Sequence, residues 1–221
     1  MNEGSGQTVR DRSGNGNDGT LGSTAGVDDN DPSWISGVFR GSALRFDGND
    51  FVRIPDSAVL ASQKLTVSAW VRGSGSPGRF KYVVAKGAGG NCSASSYGLY
   101  TGSNEGMVFY VNDGSGNPQG YHLSPAADPS AIWDGQWHNV AGTYNGQTVR
   151  LFVDGYEVGT GTSATAPVIY DLPSGAGLLG SYIDSSCSLY LVGDIDGVSV
   201  WNRALPVSDL ATVFRGLLAG R

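Results

Sequence analysis

Lysine is almost missing from this chain. Its 221 residues hold only Lys64, Lys81 and Lys86, and the net charge is −6. A phosphate-neutralising surface needs clustered cations, so nucleic acid is excluded as the expected partner. Acidic polysaccharides are disfavoured too, unless arginines gather locally. Glutamate is equally scarce, at Glu3, Glu105 and Glu157. The acidity is therefore carried by aspartate, which suits turns and hard cations better than helices. Only His122 and His138 could offer an imidazole. No apolar run approaches the roughly 18 residues of a membrane span. There is no apolar leader after Met1, an opening expected of a piece cut from a longer secreted protein. Two cysteines occur, Cys92 and Cys187, without metal-ligand spacing. Both lie in Ser/Gly-rich segments, and an even count of loop cysteines points to one disulfide and an oxidising compartment. Two unpaired thiols are the alternative.

Glycine is abundant, at 35 residues, and it separates short apolar runs. Many turns imply many strands. Leu65, Val67, Ala69 and Val71 alternate with Thr66, Ser68, Trp70 and Arg72 at the period of a strand. Leu44 and Phe46 lead through Asp47-Gly-Asn-Asp50 into Phe51-Val-Arg-Ile54. Further strands are expected at Tyr82–Ala85, Tyr97–Tyr100, Met107–Val111, Gly177–Tyr182 and Leu189–Trp201. Asn145-Gly146, between Trp137–Tyr144 and Thr148–Asp154, is a strong hairpin signal, and Asp154-Gly155 starts another turn. Val149, Leu151 and Val153 should then face a core, with Arg150 and Phe152 turned away. Residues 1 to 33 read as a polar loop ordered by Asx turns or by a cation. One helix is expected after Ser208 as N-cap, with Leu210, Val213 and Phe214 on one face and Gly216 as its stop. About a dozen strands and one helix, with no linker or repeat, make residues 1–221 one all-β domain, a sandwich or a barrel.

Four stretches carry a resemblance. Asp11-Arg-Ser-Gly-Asn-Gly-Asn-Asp-Gly-Thr-Leu, Ala43-Leu-Arg-Phe-Asp-Gly-Asn-Asp-Phe-Val, Trp137-His-Asn-Val-Ala-Gly-Thr-Tyr-Asn-Gly-Gln-Thr-Val-Arg-Leu-Phe-Val-Asp-Gly and Gly193-Asp-Ile-Asp-Gly-Val-Ser-Val-Trp-Asn-Arg-Ala-Leu stand in this order. Together they resemble the opening loop, first core strand, central hairpin and last long strand of laminin-G-like, concanavalin-A-like jelly rolls. The resemblance implies a two-sheet antiparallel jelly-roll sandwich with one short C-terminal helix. It does not fix function, because that superfamily holds lectins, carbohydrate-binding modules, adhesion domains and some glycosidases.

Glycosidases of that superfamily carry paired carboxylates in a Glu-x-Asp-x-x-Glu pattern, one acting as acid and one as nucleophile or base. No such pattern occurs here. Asp194 and Asp196 share a strand face, but a structural or metal role is the ordinary reading of their segment. His138 reads as a strand histidine held by its neighbours, and His122 as a candidate groove residue. The expectation is a secreted, non-catalytic carbohydrate-binding module, accessory to a larger polysaccharide-acting protein. The alternatives are an adhesion or protein-binding domain, and a glycosidase or lyase with an unfamiliar site.

Sugars stack on aromatic rings while polar groups read their hydroxyls, in sites that are largely preformed. The candidate ligand contacts are Trp70, Tyr100, Tyr121, His122, Trp133 and Tyr182. A loop tryptophan such as Trp133 can equally plug the core edge, and the face bearing Trp70 is either a groove or covered by another sheet. Trp137 and Trp201 read as core. If Cys92 bonds Cys187, two rim loops are stapled beside the groove. In related jelly rolls a calcium ties the N-terminal segment to the last long strand. That resemblance implies Asp18, Asp47 and Asp196 as ligands, the alternative being Asx turns without an ion.

Overall fold

A computed structural model describes residues 1–38, 41–114 and 120–219. In chain order the strands are β1 (Thr8–Val9), β2 (Gly19–Leu21), β3 (Ser33–Ser36), β4 (Ser42–Asp47), β5 (Val52–Ile54), β6 (Leu65–Arg72), β7 (Tyr82–Ala88) and β8 (Tyr97–Thr101). They continue with β9 (Met107–Asn112), β10 (Tyr121–Leu123), β11 (His138–Tyr144), β12 (Thr148–Val153), β13 (Tyr156–Glu157), β14 (Thr162–Ser163), β15 (Ser174–Leu179) and β16 (Val192–Trp201). One helix, α1 (Val207–Ala219), closes the chain. The first sheet runs β1-β2-β5-β15-β7-β8-β9-β10, and the second β13-β12-β11-β6-β16-β4-β3, with β14 also on β12. Every pairing is antiparallel, so the fold is the expected all-β jelly-roll sandwich.

Strand periodicity builds the layer between the sheets. Leu65, Val67, Ala69 and Val71 of β6 point inward with Val149 and Leu151 of β12, and meet Tyr97, Leu99, Met107, Phe109 and Val111 of the first sheet. Gly142 on β11 is the close approach that lets the sheets interlock. A Cβ there would sit 2.0 Å from Phe109 Cγ, so the ring fills the space of the missing side chain. The expected turns form as read, with Gly146 and Gly155 at φ +89° and +82°.

The termini depart from the sequence reading. The first 33 residues contribute β1, β2 and the start of β3, strands too short to show a period. Asx turns do order the loop between β1 and β2, where Asp11 accepts from the backbone of Ser13 (2.8 Å) and Asn17 (3.0 Å). The helix begins one residue before Ser208, so Ser208 lies in its first turn instead of capping it. It also continues through Gly216, because glycine weakens a helix without obliging it to end. Leu210 and Phe214 pack on the second sheet as expected, while the Val213 side chain lies outside the described residues.

The Gly142 contact gives a direct test. Gly142→Ala forces a methyl into the Phe109 ring and should destabilise by about 1–3 kcal/mol in urea unfolding, as overpacking does. An unchanged midpoint would mean that the sheets do not interlock there.

Candidate functional site

Across β7, β8 and β9 the outer face of the first sheet is buried and aromatic. Tyr82 on β7, Tyr100 on β8, Tyr110 on β9 and Tyr182 after β15 are all buried there with Leu178. Glycine again makes the room, since a Cβ at Gly98 would meet Tyr110 Cε1 at 2.5 Å and Tyr82 Cε1 at 2.9 Å. Tyr82 stacks on Tyr100 at 4.8 Å, and its hydroxyl lies 3.1 Å from that of Tyr110. The rings form a string. Phe80 lies 6.4 Å from Tyr100, Tyr100 lies 5.3 Å from Tyr110, and Tyr110 lies 5.1 Å from Tyr121. Both ends of the string reach solvent. Phe80 is 44% exposed, and Tyr121 is half-buried on the edge strand β10. Phe80 also holds φ +59°, a conformation bulky residues avoid and one that collects at ligand sites. Burial pushes the Tyr110 hydroxyl up to about 12 and that of Tyr82 well above its ordinary value.

Two loops roof this layer. Cys92 and Cys187 form the expected disulfide, with Cα atoms 5.6 Å apart. Asp184 ties the same loops a second time. One of its oxygens accepts from the Cys92 backbone (2.7 Å) and the Tyr182 hydroxyl (2.8 Å), the other from the backbones of Ser186 (2.7 Å) and Cys187 (2.9 Å). Burial would raise its pKa, but these donors together hold it below the ordinary value. Asp184 escaped the sequence reading, although Asp-Ser-Ser-Cys is a fair Asx-turn signal.

The structure thus joins Tyr100, Tyr121 and Tyr182 from the candidate set. The others fall elsewhere. His122 sits beside Tyr121 but turns to the buried Asp113, 3.1 Å from its carboxylate. Trp133 is 5% exposed, packs in the inter-sheet core and donates its indole N–H to the Glu105 carbonyl at 3.1 Å. It is the plug, and it has no free face for a sugar. Trp70 is 2% exposed and stacks on Phe214 at 5.5 Å. Its face is covered by the helix, neither a groove nor a sheet contact. Trp137 corrects the reading in the other direction: it is half-buried on the outer face of the second sheet, with the Arg72 guanidinium 4.6 Å from its ring centre. Trp201 is also half-buried and packs beneath the helix. A cleft of about 640 Å³ opens between the sheets, but its walls include Val52, Ile54, Leu179 and Val200. Lys86 on that wall already donates to Asp56 (2.6 Å) and to the Gly175 carbonyl.

The calcium ligands implied by resemblance do not converge. Asp47 pairs with Val192, four residues from Asp196 along the ladder, which is roughly 13 Å at strand spacing. Asp196 is committed to the backbone N–H groups of Val38 (3.0 Å) and Gly197 (2.7 Å), and Asp18 to that of Asp11 (2.7 Å). A different oxygen cradle forms in the N-terminal segment. A Cβ at Gly22 would lie 2.2 Å from Asp31 Oδ1 and 2.5 Å from Asp28 Oδ1, so two carboxylates converge on that glycine. Asp31 Oδ1 is buried without a hydrogen-bond partner, and so is Gln7 Oε1, whose amide Nε2 donates to Asp31 Oδ2 at 2.8 Å. An all-oxygen set of carboxylates and amide fits a hard cation such as calcium.

Asp194 and Asp196 are engaged with separate sets of donors. Asp194 accepts from Arg45 Nε (2.8 Å) and from Arg72 Nε (2.8 Å) and Nη2 (2.6 Å), while Asp196 is buried against backbone donors. His138 is held by its neighbours as expected, Nδ1 lying 2.8 Å from Asp154 and Nε2 3.1 Å from Asp134.

Comparison with known proteins agrees with this architecture. Residues 46–211 match the profile of the concanavalin A-like lectin/glucanases superfamily. Nothing among curated proteins matches the sequence. Among solved structures, domain 4 of AbnA, a GH43 extracellular arabinanase from Geobacillus stearothermophilus in complex with arabinotriose, is 20% identical with a TM-score of 0.59; the match covers 91% of this chain and 90% of that one. The binding domain of botulinum neurotoxin DC, in complex with rat synaptotagmin II, is 12% identical with a TM-score of 0.66, covering 98% of this chain and 50% of that one. A botulinum neurotoxin type C structure, whose cell entry depends on two ganglioside molecules, is 14% identical with a TM-score of 0.66 and coverage of 98% and 50%. The chain spans about half the length of these toxin chains.

The imidazole contacts carry a pH dependence. Burial alone would pull the His138 pKa down, but the carboxylates of Asp154 and Asp134 hold it above 6.5. The folded state therefore favours the protonated ring. Its contribution is complete below the unfolded value of about 6.5 and is lost as pH rises through the raised folded value. Denaturation midpoints should fall over that window, and fall less in His138→Gln. Parallel pH profiles would remove His138 as the source.

Proposed function

The chain belongs to the concanavalin A-like lectin/glucanases superfamily, and from that premise we propose that it is a non-catalytic carbohydrate-binding module. It serves as an accessory to a larger polysaccharide-acting protein outside the cell. The observation that carries this reading is the string of rings from Phe80 to Tyr121. It offers two solvent-reaching aromatic ends on a rigid, buried tyrosine base, beside a stapled loop. Sugar sites of this kind are preformed, so little ordering is lost on binding. A neutral oligosaccharide would lay its C–H faces on Tyr121 and Phe80. The solved domain of the arabinanase, which is in complex with arabinotriose and matches nearly the whole of this chain, supports this choice of ligand class.

Two further observations support the absence of catalysis. Each glutamate is near an arginine: Glu3 to Arg12, Glu105 to Arg79 and Glu157 to Arg150. Asp194 is clamped by two guanidiniums, which engage both of its oxygens. The disulfide supports an oxidising, extracellular setting. No helix among the described residues is long and apolar enough to cross a membrane. Calcium would be held by Asp28, Asp31 and Gln7, where it would fasten a segment whose strands are too short to anchor it by packing. The ion would supply structural cross-linking and no chemistry.

Isothermal titration with arabino-, xylo- and cello-oligosaccharides tests the reading. At least one should bind, and Tyr121→Ala should weaken it about tenfold or more while leaving the fold intact. If none binds, the carbohydrate reading fails and a protein partner takes its place. In the same preparation, calcium should raise the Tm by mass action and EDTA should reverse it. Asp31→Asn should abolish that shift; a shift that survives would place the ion elsewhere.

A further inference from the structure

The outer face of the second sheet carries a cross-strand row that the tyrosine face does not explain. The register aligns Trp137, just before β11, with Arg72 of β6, then Asp194 of β16, Arg45 of β4 and Ser33 of β3. Asp194 is buried between the two arginines and takes four hydrogen bonds, two from each guanidinium. Each guanidinium uses its Nε and Nη2 atoms on Asp194. Neither Nη1 group makes a further hydrogen bond among the described residues. The Arg45 side chain is 56% exposed and that of Arg72 31%. Arg72 also lies over the half-buried ring of Trp137. Two cations against one carboxylate leave a single positive charge in the row. The neighbouring Asp196 is turned away to the backbone of Val38 and Gly197, and Asp134 is engaged with His138.

We propose that this row is a second carbohydrate site, selective for sugars that bear a carboxylate. The arginines are held in place before any ligand arrives, by the buried Asp194 on one edge and, for Arg72, by the indole beneath. Their outward edges are planar donor pairs whose geometry matches a carboxylate. The part of the indole left exposed beside Arg72 supplies apolar contact for a sugar ring, which an acidic peptide would not require. The site goes beyond the neutral-sugar reading and lies on the opposite sheet, so either can fail alone. It also supplies the local arginine cluster without which an acidic chain would repel acidic sugars.

The probe is a tetramer of galacturonic acid, titrated against the whole protein at about 0.15 M salt alongside its methyl ester and poly-glutamate. The tetramer should bind, and the methyl ester, which keeps the sugar and loses the charge, should bind at least about tenfold more weakly. Arg45→Gln should lower tetramer affinity by a similar factor. Arg72 stays on Asp194 in that variant, so the fold should persist, and an unchanged circular dichroism spectrum would confirm it. Arg45→Lys, which keeps the charge without the planar fork, should fall between the two. Tyr121→Ala should leave tetramer binding unchanged. Equal binding of the ester, equal binding of poly-glutamate, indifference to Arg45→Gln, or no tetramer binding at all would each overturn the proposal. None of these outcomes bears on binding of neutral sugars at the tyrosine face.

Discussion

The outer face of the first sheet depends on a roof of two loops held by one disulfide and one carboxylate. A sheet in a sandwich ordinarily buries one face and wets the other. Here β7, β8 and β9 bury both, with Phe109 and Leu99 on the inside and Tyr82, Tyr100 and Tyr110 on the outside. Each fully buried ring contributes on the order of 1.5–3 kcal/mol, but only while something excludes water from it. The segments around Cys92 and Cys187 are rich in serine and glycine and have little apolar surface of their own. They stay in place through the Cys92–Cys187 bond and the four hydrogen bonds of Asp184. A bridge across 95 residues of chain is worth roughly 4–5 kcal/mol in the chain-entropy treatment.

The second sheet solves the same problem differently. Part of its outer face is covered by α1, which brings Leu210 and Phe214 onto Ala141, Phe152 and Trp70. The remainder is polar and is satisfied by pairing across strands, through the Trp137–Arg72–Asp194–Arg45 row. The two faces therefore differ in what they can recognise. One presents neutral rings above an apolar base, and the other presents oriented cations beside an indole. This division follows from which residues alternate outward on each strand, since a shift of one residue would exchange every one of them.

Much of this was legible in the sequence, and the reasons for the rest are physical. The alternation along β6 and the Asn145-Gly146 hairpin are local signals, so the sandwich and its core-facing residues could be read directly. The partner of an outward face is not a local signal. Nothing near Trp70 says that Phe214, 144 residues later, will cover it, and nothing near Trp133 says that Gly73 leaves the space its ring occupies. Composition disfavoured acidic ligands because it averages over the chain, whereas Arg45 and Arg72 meet only through strand pairing. The grouping of carboxylates was hidden for a related reason. Motif position suggested Asp18, Asp47 and Asp196, but convergence depends on the path of the chain at Gly22, which brings Asp28 and Asp31 together. The disulfide was readable because two loop cysteines leave one pairing, while the supporting role of Asp184 required the fold.

The most direct test of this account is to remove the staple and measure recognition. Oligosaccharide binding at the tyrosine face should be compared between the native protein and a Cys92→Ala, Cys187→Ala double variant, with far-ultraviolet circular dichroism to verify the sandwich. The account predicts a folded but less stable protein whose neutral-sugar affinity has dropped steeply, because the rings lose their roof and their fixed positions. An unchanged affinity in the unstapled protein would contradict it, and would mean that the tyrosine face recognises nothing through the architecture described.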